Sequence, residues 1–569
     1  MSNNTDNQEK IILIKKCKFC NSEFNITDKD RRFYERVSPI LNGKKYNIPF
    51  PNLCVDCRNK QKLAFRNERN LYKRKCDLTG KEIISIYNPD RPGVVYDFKE
   101  RWTDKWEGLD YGQDFDFDKN FFNQFHEVLL KAPKMSVVQQ RSENSDYANE
   151  SGNLKNCYLC FSSGNVNDSL YVSDIARSER IVESTGAVHS TIGYNLINCN
   201  NCYHLFHSIK SDSCKFSYYL YDCNNCKNCF MCVSLKNKQY CILNEQYTKE
   251  EYKQKVKKIF DNLDEYLEKY ENLIIKTPKR LYHGNQNDNS TGDLLFNTKN
   301  CQDCFEITES KDLKNCIRLS FAENCMDVTY FGFFMERCYM CLSSGDHANN
   351  LLYSISCFNN VTNLTYCVYC VNCQDCFGCV SLKDKKYCIL NKQYTKEEYE
   401  ELVPKIISHM EKAGEWGEFF PYQLSPFGYN QSAANSYYPL DKQQALEEGF
   451  NWSDYETPAP NVEKIIPANK LPKNIKDIPD DILNWAIKCE ITNKPYRIVK
   501  QELDFYRKYN LPIPKKHPDQ RYLERIQKKN PRKIFDRNCA KCGKDIQTSY
   551  PPNSSEIVYC SECYNKEFY

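Results

Sequence analysis

Residues 223–252 read CNNCKNCFMCVSLKNKQYCILNEQYTKEEY, and residues 370–399 read CVNCQDCFGCVSLKDKKYCILNKQYTKEEY. They align without a gap and agree at 23 of 30 positions, so the middle of the chain is duplicated. Each copy opens on Cys-x2-Cys-x2-Cys-x2-Cys, with Cys223, Cys226, Cys229 and Cys232 in one and Cys370, Cys373, Cys376 and Cys379 in the other. Each closes on a helix start, because Thr248 with Glu251 and Thr395 with Glu398 have the spacing of capping boxes. Upstream, Asn156-Cys157-x2-Cys160-Phe161 matches Asn300-Cys301-x2-Cys304-Phe305, which makes two modules of about 145 residues.

A shorter rhythm runs inside the first module, where Cys157, Ser169, Arg180, Thr191, Cys202, Cys214 and Cys226 recur every eleven or twelve residues. The motif Cys-Tyr-x-Cys-x-Ser-Ser-Gly at 157–164 returns at 338–345, out of phase with the long repeat. Slippage by whole rungs is what a solenoid permits, since each coil touches only its neighbours. The expected fold is therefore mainly β with some α. Its centre is a duplicated right-handed β-solenoid, parallel β-helix-like, with Cys and small residues inside and Asn at the bends. Two compact α+β domains with embedded zinc knuckles are the alternative. The middle cysteines then have three readings: buried thiols in an interior ladder, further zinc ligands on each four-cysteine run, or an iron–sulfur cluster. The last fits poorly, because the fourth gap is x2 and no proline follows.

Small zinc-ribbon modules are expected at both ends. Cys539-x2-Cys542 and Cys560-x2-Cys563 lie seventeen residues apart, the spacing of a ribbon whose two knuckles close a tetrahedron of thiolates. Gly543 follows the first knuckle, where a left-handed residue is needed. Near the other end, Cys17-x2-Cys20 and Cys54-x2-Cys57 repeat the arrangement with a 33-residue insert. Four thiolates with no open position imply structural metal, so two zinc ions are expected as the cofactors.

Residues 11–60, with both Cys-x2-Cys pairs, Phe33-Tyr34, Pro49, Pro51 and Arg58, resemble a bacterial family catalogued as a probable zinc ribbon. The wider chain is similar to uncharacterised cysteine-rich proteins of candidate-phylum bacteria, through Ser425-Pro-Phe-Gly-Tyr-Asn430, Phe505-Tyr506-Arg507 and the terminal ribbon. That resemblance implies the zinc and no activity.

Two further copies have lost their ligands. Cys539 to Tyr564 aligns without gaps on Cys76 to Arg101, but Cys542, Cys560 and Cys563 become Thr79, Asp97 and Glu100. Cys489 matches Cys17, Pro512 and Pro514 match Pro49 and Pro51, and Arg521 matches Arg58, while Thr492, His517 and Gln520 replace the other three cysteines. The expected organisation is a flexible tail (1–16), a zinc ribbon with a basic arm (17–75), and a metal-free ribbon with an aromatic connector (76–145). Two solenoid modules with capped helices follow (146–275 and 288–413). An aromatic, proline-rich strap (414–480) leads to a degenerate ribbon, a basic segment and the C-terminal ribbon (481–569).

Composition bounds the function less tightly. The net charge of +4 carries no global argument for nucleic acid. The first sixteen residues hold only the apolar run Ile11 to Ile14, too short for a leader core, and no stretch approaches a membrane span. A cytoplasmic location, with its 33 cysteines kept reduced, is expected. The clearest functional clue is charge: Arg58, Lys62, Arg66, Arg69 and Lys73 step like one helix face, and Arg521, Arg525, Lys528 and Arg532 repeat the pattern. Such stripes, with Phe65, Tyr72 and Tyr522 nearby to stack bases, point to RNA or single-strand binding. A protein-interaction scaffold is the alternative. An enzyme is not expected, because no phosphate loop, dinucleotide fingerprint or nucleophile elbow is present.

Overall fold

The computed structural model describes residues 10–332, 335–345 and 347–568. Most of the expected tail, residues 1–9, lies outside the described residues. Its last part is no tail: Ile11–Lys16 is a strand that pairs antiparallel with Glu23–Thr27.

The duplicated middle forms two long ladders of parallel strands. In the first, Tyr158 stands opposite Leu170, Thr191 opposite Tyr203, and Tyr203 opposite Lys215, a step of twelve residues each time. The second steps by twelve at Gly292 to Cys304 and at Gln374 to Lys386, but by thirteen at Asn349 to Thr362 and Ile355 to Val368. From Glu150 to Leu243 every third residue is left-handed, with φ between 48° and 60° at all but Gly186 (72°). Two extended residues and one left-handed residue make a short side and a corner, repeated along the chain.

A left-handed residue other than Gly costs about 1–2 kcal/mol, least for Asn and Asp, which explains why Asn crowds these positions. Corner amides also stack on one another: Asn144 donates to Asn156 (3.0 Å), Asn156 to Asp168 (2.9 Å) and Asn225 to Asn237 (2.7 Å). The step is stricter than the sequence rhythm suggested. Cys157, Ser169 and Ile181 lie on one line of the interior, joined where the Ile181 N–H donates to Ser169 Oγ at 3.1 Å. Cys202 lies on another line, donating its N–H to Ser190 Oγ at 3.2 Å, and Arg180 is a corner residue.

The interior of each ladder is apolar and thiol-rich. Leu154, Val166, Ile181, Leu205 and Leu220 pack with ten cysteines in the first, and thirteen cysteines of the second lie in an equally buried core. Many Cys and Ser side chains there do the same local work. Cys199 donates to the carbonyls of Ile197 (3.5 Å) and Ser208 (3.3 Å), as Ser178 does to Ala176 (2.8 Å) and Ala187 (3.5 Å). A small side chain with one donor therefore fits a position where two carbonyls converge.

The capping boxes are present at both Thr248 and Thr395, opening the helices Lys249–Asp261 and Lys396–Ala413. The strap does not lie loose on a surface. Trp416, Phe419 and Phe420 are buried, and both carboxylate oxygens of Glu415 take the free N–H groups of Phe121 and Phe122, starting the helix Phe121–Lys131 (2.9 and 3.1 Å). Among the described residues, no helix is long and apolar enough to cross a membrane.

Candidate metal centres and the basic arms

Four units flank the ladders, in two matched pairs. We call 10–69 and 485–532 the arms, and 72–101 and 535–568 the caps. In the first arm the hairpin Ile11–Lys16/Glu23–Thr27 leads into the helices Asp28–Val37 and Val55–Ala64. In the second arm, Trp485–Lys488/Pro495–Tyr496 leads into Lys500–Tyr509 and Pro518–Gln527. The knuckles superpose hydrogen bond by hydrogen bond: Cys17 N–H to the Ser22 carbonyl (2.8 Å) matches Cys489 to Lys494 (3.0 Å). The left-handed residue is Asn21 (φ 61°) in one and Asn493 (φ 58°) in the other. The caps match equally well: Cys539 to Lys544 (2.8 Å) and Gly543 to Cys539 (2.9 Å) against Cys76 to Lys81 and Gly80 to Cys76 (both 2.8 Å).

Each cap also receives a parallel strand entering its ladder. Val95 stands opposite Lys134 in the first, and Val558 opposite Lys279 in the second. Burial brings the amines of Lys134 and Lys279 down to about 8 in both places, and each donates to a carbonyl at the end of the preceding helix, that of Leu129 or Ile274.

Two sets of four cysteines converge: Cys17, Cys20, Cys54 and Cys57 in the first arm, and Cys539, Cys542, Cys560 and Cys563 in the second cap. Within each set the sulfurs all lie within 4.8 Å of one another, with Cys20 to Cys54 at 3.6 Å and Cys542 to Cys560 at 3.8 Å. Sulfurs held ~2.3 Å from one ion in a tetrahedron stand about 3.8 Å apart, so both sets can hold a metal ion. The peptide supports the thiolates. Burial pushes the Cys539 thiol up, but N–H groups of Cys560, Cys542 and Lys541 outweigh it and bring it to about 6. The Cys560 N–H lies 3.2 Å from that sulfur.

The degenerate copies keep this cradle around one sulfur. Asp97 N–H points at Cys76 Sγ (3.3 Å) and Thr492 N–H at Cys489 Sγ (3.4 Å). His517 does not face a metal; its Nδ1 accepts from the Asp519 N–H at the start of a helix (3.2 Å). The middle runs form no such group among the described residues. Cys223, Cys226, Cys229 and Cys232, and likewise Cys370, Cys373, Cys376 and Cys379, are buried and each Sγ donates to a carbonyl two residues back. The x2 spacing is thus the three-residue side of the ladder.

The basic residues stand elsewhere than on one solvated helix face. Only Arg58 and Lys62 lie on the helix Val55–Ala64; Arg66 and Arg69 follow it, and Lys73 is on a strand. Arg58 is buried and grips Asp327 with two nitrogens (2.9 and 3.2 Å), and Lys62 donates to the Asp327 carbonyl. Burial alone would lower the Arg58 guanidinium, yet Asp327 holds it charged; burial takes the Lys62 amine down to about 8.

The second arm does the same at matched positions. Arg521 and Arg525, offset by 463 residues from Arg58 and Lys62, are buried on Glu183, which is offset by 144 from Asp327 and shares its left-handed corner. Each arm then crosses to the other ladder. Arg66 reaches Ser162 Oγ (3.1 Å) and Glu150 (3.2 Å), while Lys529 and Arg532 reach Glu306 (3.4 and 3.0 Å), again 144 residues beyond Ser162. Arg69 donates to Ser173 Oγ (2.9 Å) and lies 3.8 Å over the Tyr522 ring. Sequence reasoning chose Lys528, which is exposed past the helix end, and missed Lys529, the true partner of Arg66; the 463-residue offset identifies it. Phe65, Tyr72 and Tyr522 are likewise buried. Of the nine basic residues proposed for phosphate, Lys73 and Lys528 remain exposed, and Lys73 lies 3.2 Å from Glu82.

No known protein family matches the chain, and no curated protein does. Among solved structures, a putative acetyltransferase from Desulfovibrio desulfuricans G20 aligns at 10% identity with a TM-score of 0.09, covering 41% of this chain. The chain spans 63% of that protein's length, and the likeness carries no argument.

Proposed function

We propose that this protein is a zinc-stapled scaffold that presents two repeat ladders to partner proteins, without catalysis, in a reducing cytoplasm. In this reading the ladders wind as two right-handed β-solenoids, and one zinc ion sits in each half, at Cys17/Cys20/Cys54/Cys57 and at Cys539/Cys542/Cys560/Cys563. Zinc suits four thiolates with no open position. All 33 cysteines are unbridged, in keeping with a compartment that keeps thiols reduced.

One observation carries the choice of scaffold over nucleic-acid binder: the arms' basic residues are buried on Asp327, Glu183 and Glu306. Nucleic-acid binding through those residues would require the pairs to open and leave buried carboxylates alone, which is costly. Elemental analysis should give two zinc ions per chain and no iron. At low salt the protein should pass heparin and immobilised RNA without retention. Salt-sensitive retention that Lys73→Glu with Lys528→Glu abolishes would overturn the scaffold in favour of nucleic acid.

A further inference from the structure

The two arms share one hairpin but differ at its outer edge. In the second arm, Lys464–Pro467 lies parallel on the strand Trp485–Lys488, with Ile465 opposite Ala486 and Ile466 opposite Ile487. Lys464 Nζ sits 3.3 Å over the Trp485 ring, and the Glu463 N–H reaches the Asn484 carbonyl (3.3 Å). The knuckle register equates Trp485–Lys488 with Leu13–Lys16, since Lys488 pairs with Pro495 as Lys16 pairs with Glu23. Among the described residues no strand covers the outer edge of Ile11–Lys16. Ala486 is fully buried, whereas its equivalent Ile14 is 58% exposed, and Ile11, Ile12 and Leu13 are exposed beside it.

Four consecutive exposed aliphatic residues on an open strand edge are a pairing template, of the kind proteins otherwise blunt or cover. We propose that this edge binds an extended segment of a partner protein by strand addition, parallel to Leu13–Lys16. The molecule already contains the form of the occupant: two adjacent β-branched aliphatic residues, as in Lys464-Ile465-Ile466-Pro467, with an acidic residue just before, as Glu463. Main-chain hydrogen bonds supply affinity in this mode, and alternate side chains supply selectivity. Exposed Lys10 and Lys16 flank the edge and favour an acidic neighbour on the incoming strand. The segment is a partner's because the chain's own matching strand is engaged in the second arm.

The proposal rests on the scaffold reading, yet heparin retention would sink that reading without touching this test. A fluorescent peptide Asn-Val-Glu-Lys-Ile-Ile-Pro-Ala-Asn, the sequence of 461–469, is titrated into the full chain and followed by anisotropy. Saturable binding is expected, weakened at least tenfold by Ile12→Asp with Ile14→Asp and also by Ile14→Lys alone, at unchanged zinc content. No binding, or binding indifferent to these substitutions, overturns it. So does a wild-type dimer that the substitutions dissolve, since a second copy would then own the edge.

Discussion

The caps offer a comparison the molecule makes on itself. Residues 72–96 and 535–559 share a hairpin in the same register, Tyr72 opposite Ser85 and Phe535 opposite Thr548, followed by the same short strand. One has four converging thiols and the other a single sulfur. The copy without ligands has the richer apolar core. Ile83, Ile86, Tyr87, Val95 and Tyr96 pack with Val137 and with Phe427, whose ring stacks on Tyr87 at 5.2 Å, and Trp106 closes one side. The second cap's buried cluster is Ile546, Tyr550 and Val558 with Cys539 and Cys560. A ribbon therefore keeps its backbone without ligands when neighbouring elements bury it. In the second cap, where the apolar cluster is smaller, four thiols converge that could hold a metal ion.

Chelation breaks the comparison most severely. Structural zinc contributes on the order of ~10 kcal/mol to a small module. Removing it should strip hydrogen-exchange protection from 17–57 and 535–568 while 72–96 and 485–520 stay protected. Uniform loss across all four units would contradict the division. Next in size is Glu183→Ala, which strands Arg521 and Arg525 in a buried site and should cost about 3–5 kcal/mol, read as a lowered denaturation midpoint. Asp327→Ala should do the same to the first arm; a large effect at one site and none at the other would end the equivalence. Phe427→Ala should cost about 3–4 kcal/mol through the cavity beneath Tyr87 and leave the metal content unchanged.

A gentler probe is pH. Lys62, Lys134 and Lys279 have amines lowered to about 8, so between pH 8 and the ordinary lysine value of ~10.4 the unfolded chain binds more protons at these groups than the folded one. These three amines alone would raise stability across that window. The more numerous ladder thiols that burial pushes up stay protonated when folded and ionise near ~8.5 when unfolded. Net stability should therefore fall as pH rises, and Lys134→Met should make the fall steeper. Least affected should be Lys528→Glu, within about 0.5 kcal/mol of wild type by thermal denaturation.

Much of this was legible in the sequence, for identifiable reasons. Both four-cysteine sets could be read because a knuckle is local, and the capping boxes because they span four residues. The twelve-residue step was blurred because Cys and Ser occupy several interior lines at once, so Cys157 and Cys202 looked like members of one series. The arms were legible as basic and misread as exposed. Their counter-charges, Glu183 and Asp327, are single acids at corners where Asn is the commonest residue but many others stand, and nothing local marks them. The helical step also failed past Ala64 and Gln527, where the helices end and a 3.6-residue phase no longer says which side chain faces inward.

The strand pairing of Lys279 with Val558 carries a cost in time. A ribosome adding ~5–20 residues per second needs roughly 15–60 s to travel the 279 residues between them. Throughout that interval the strand entering the second ladder waits with its edge open, while the first ladder, whose cap precedes it, is already closed. The newborn chain is thus asymmetric where the finished one is matched, and a helper that shields an open strand edge would act on the second ladder.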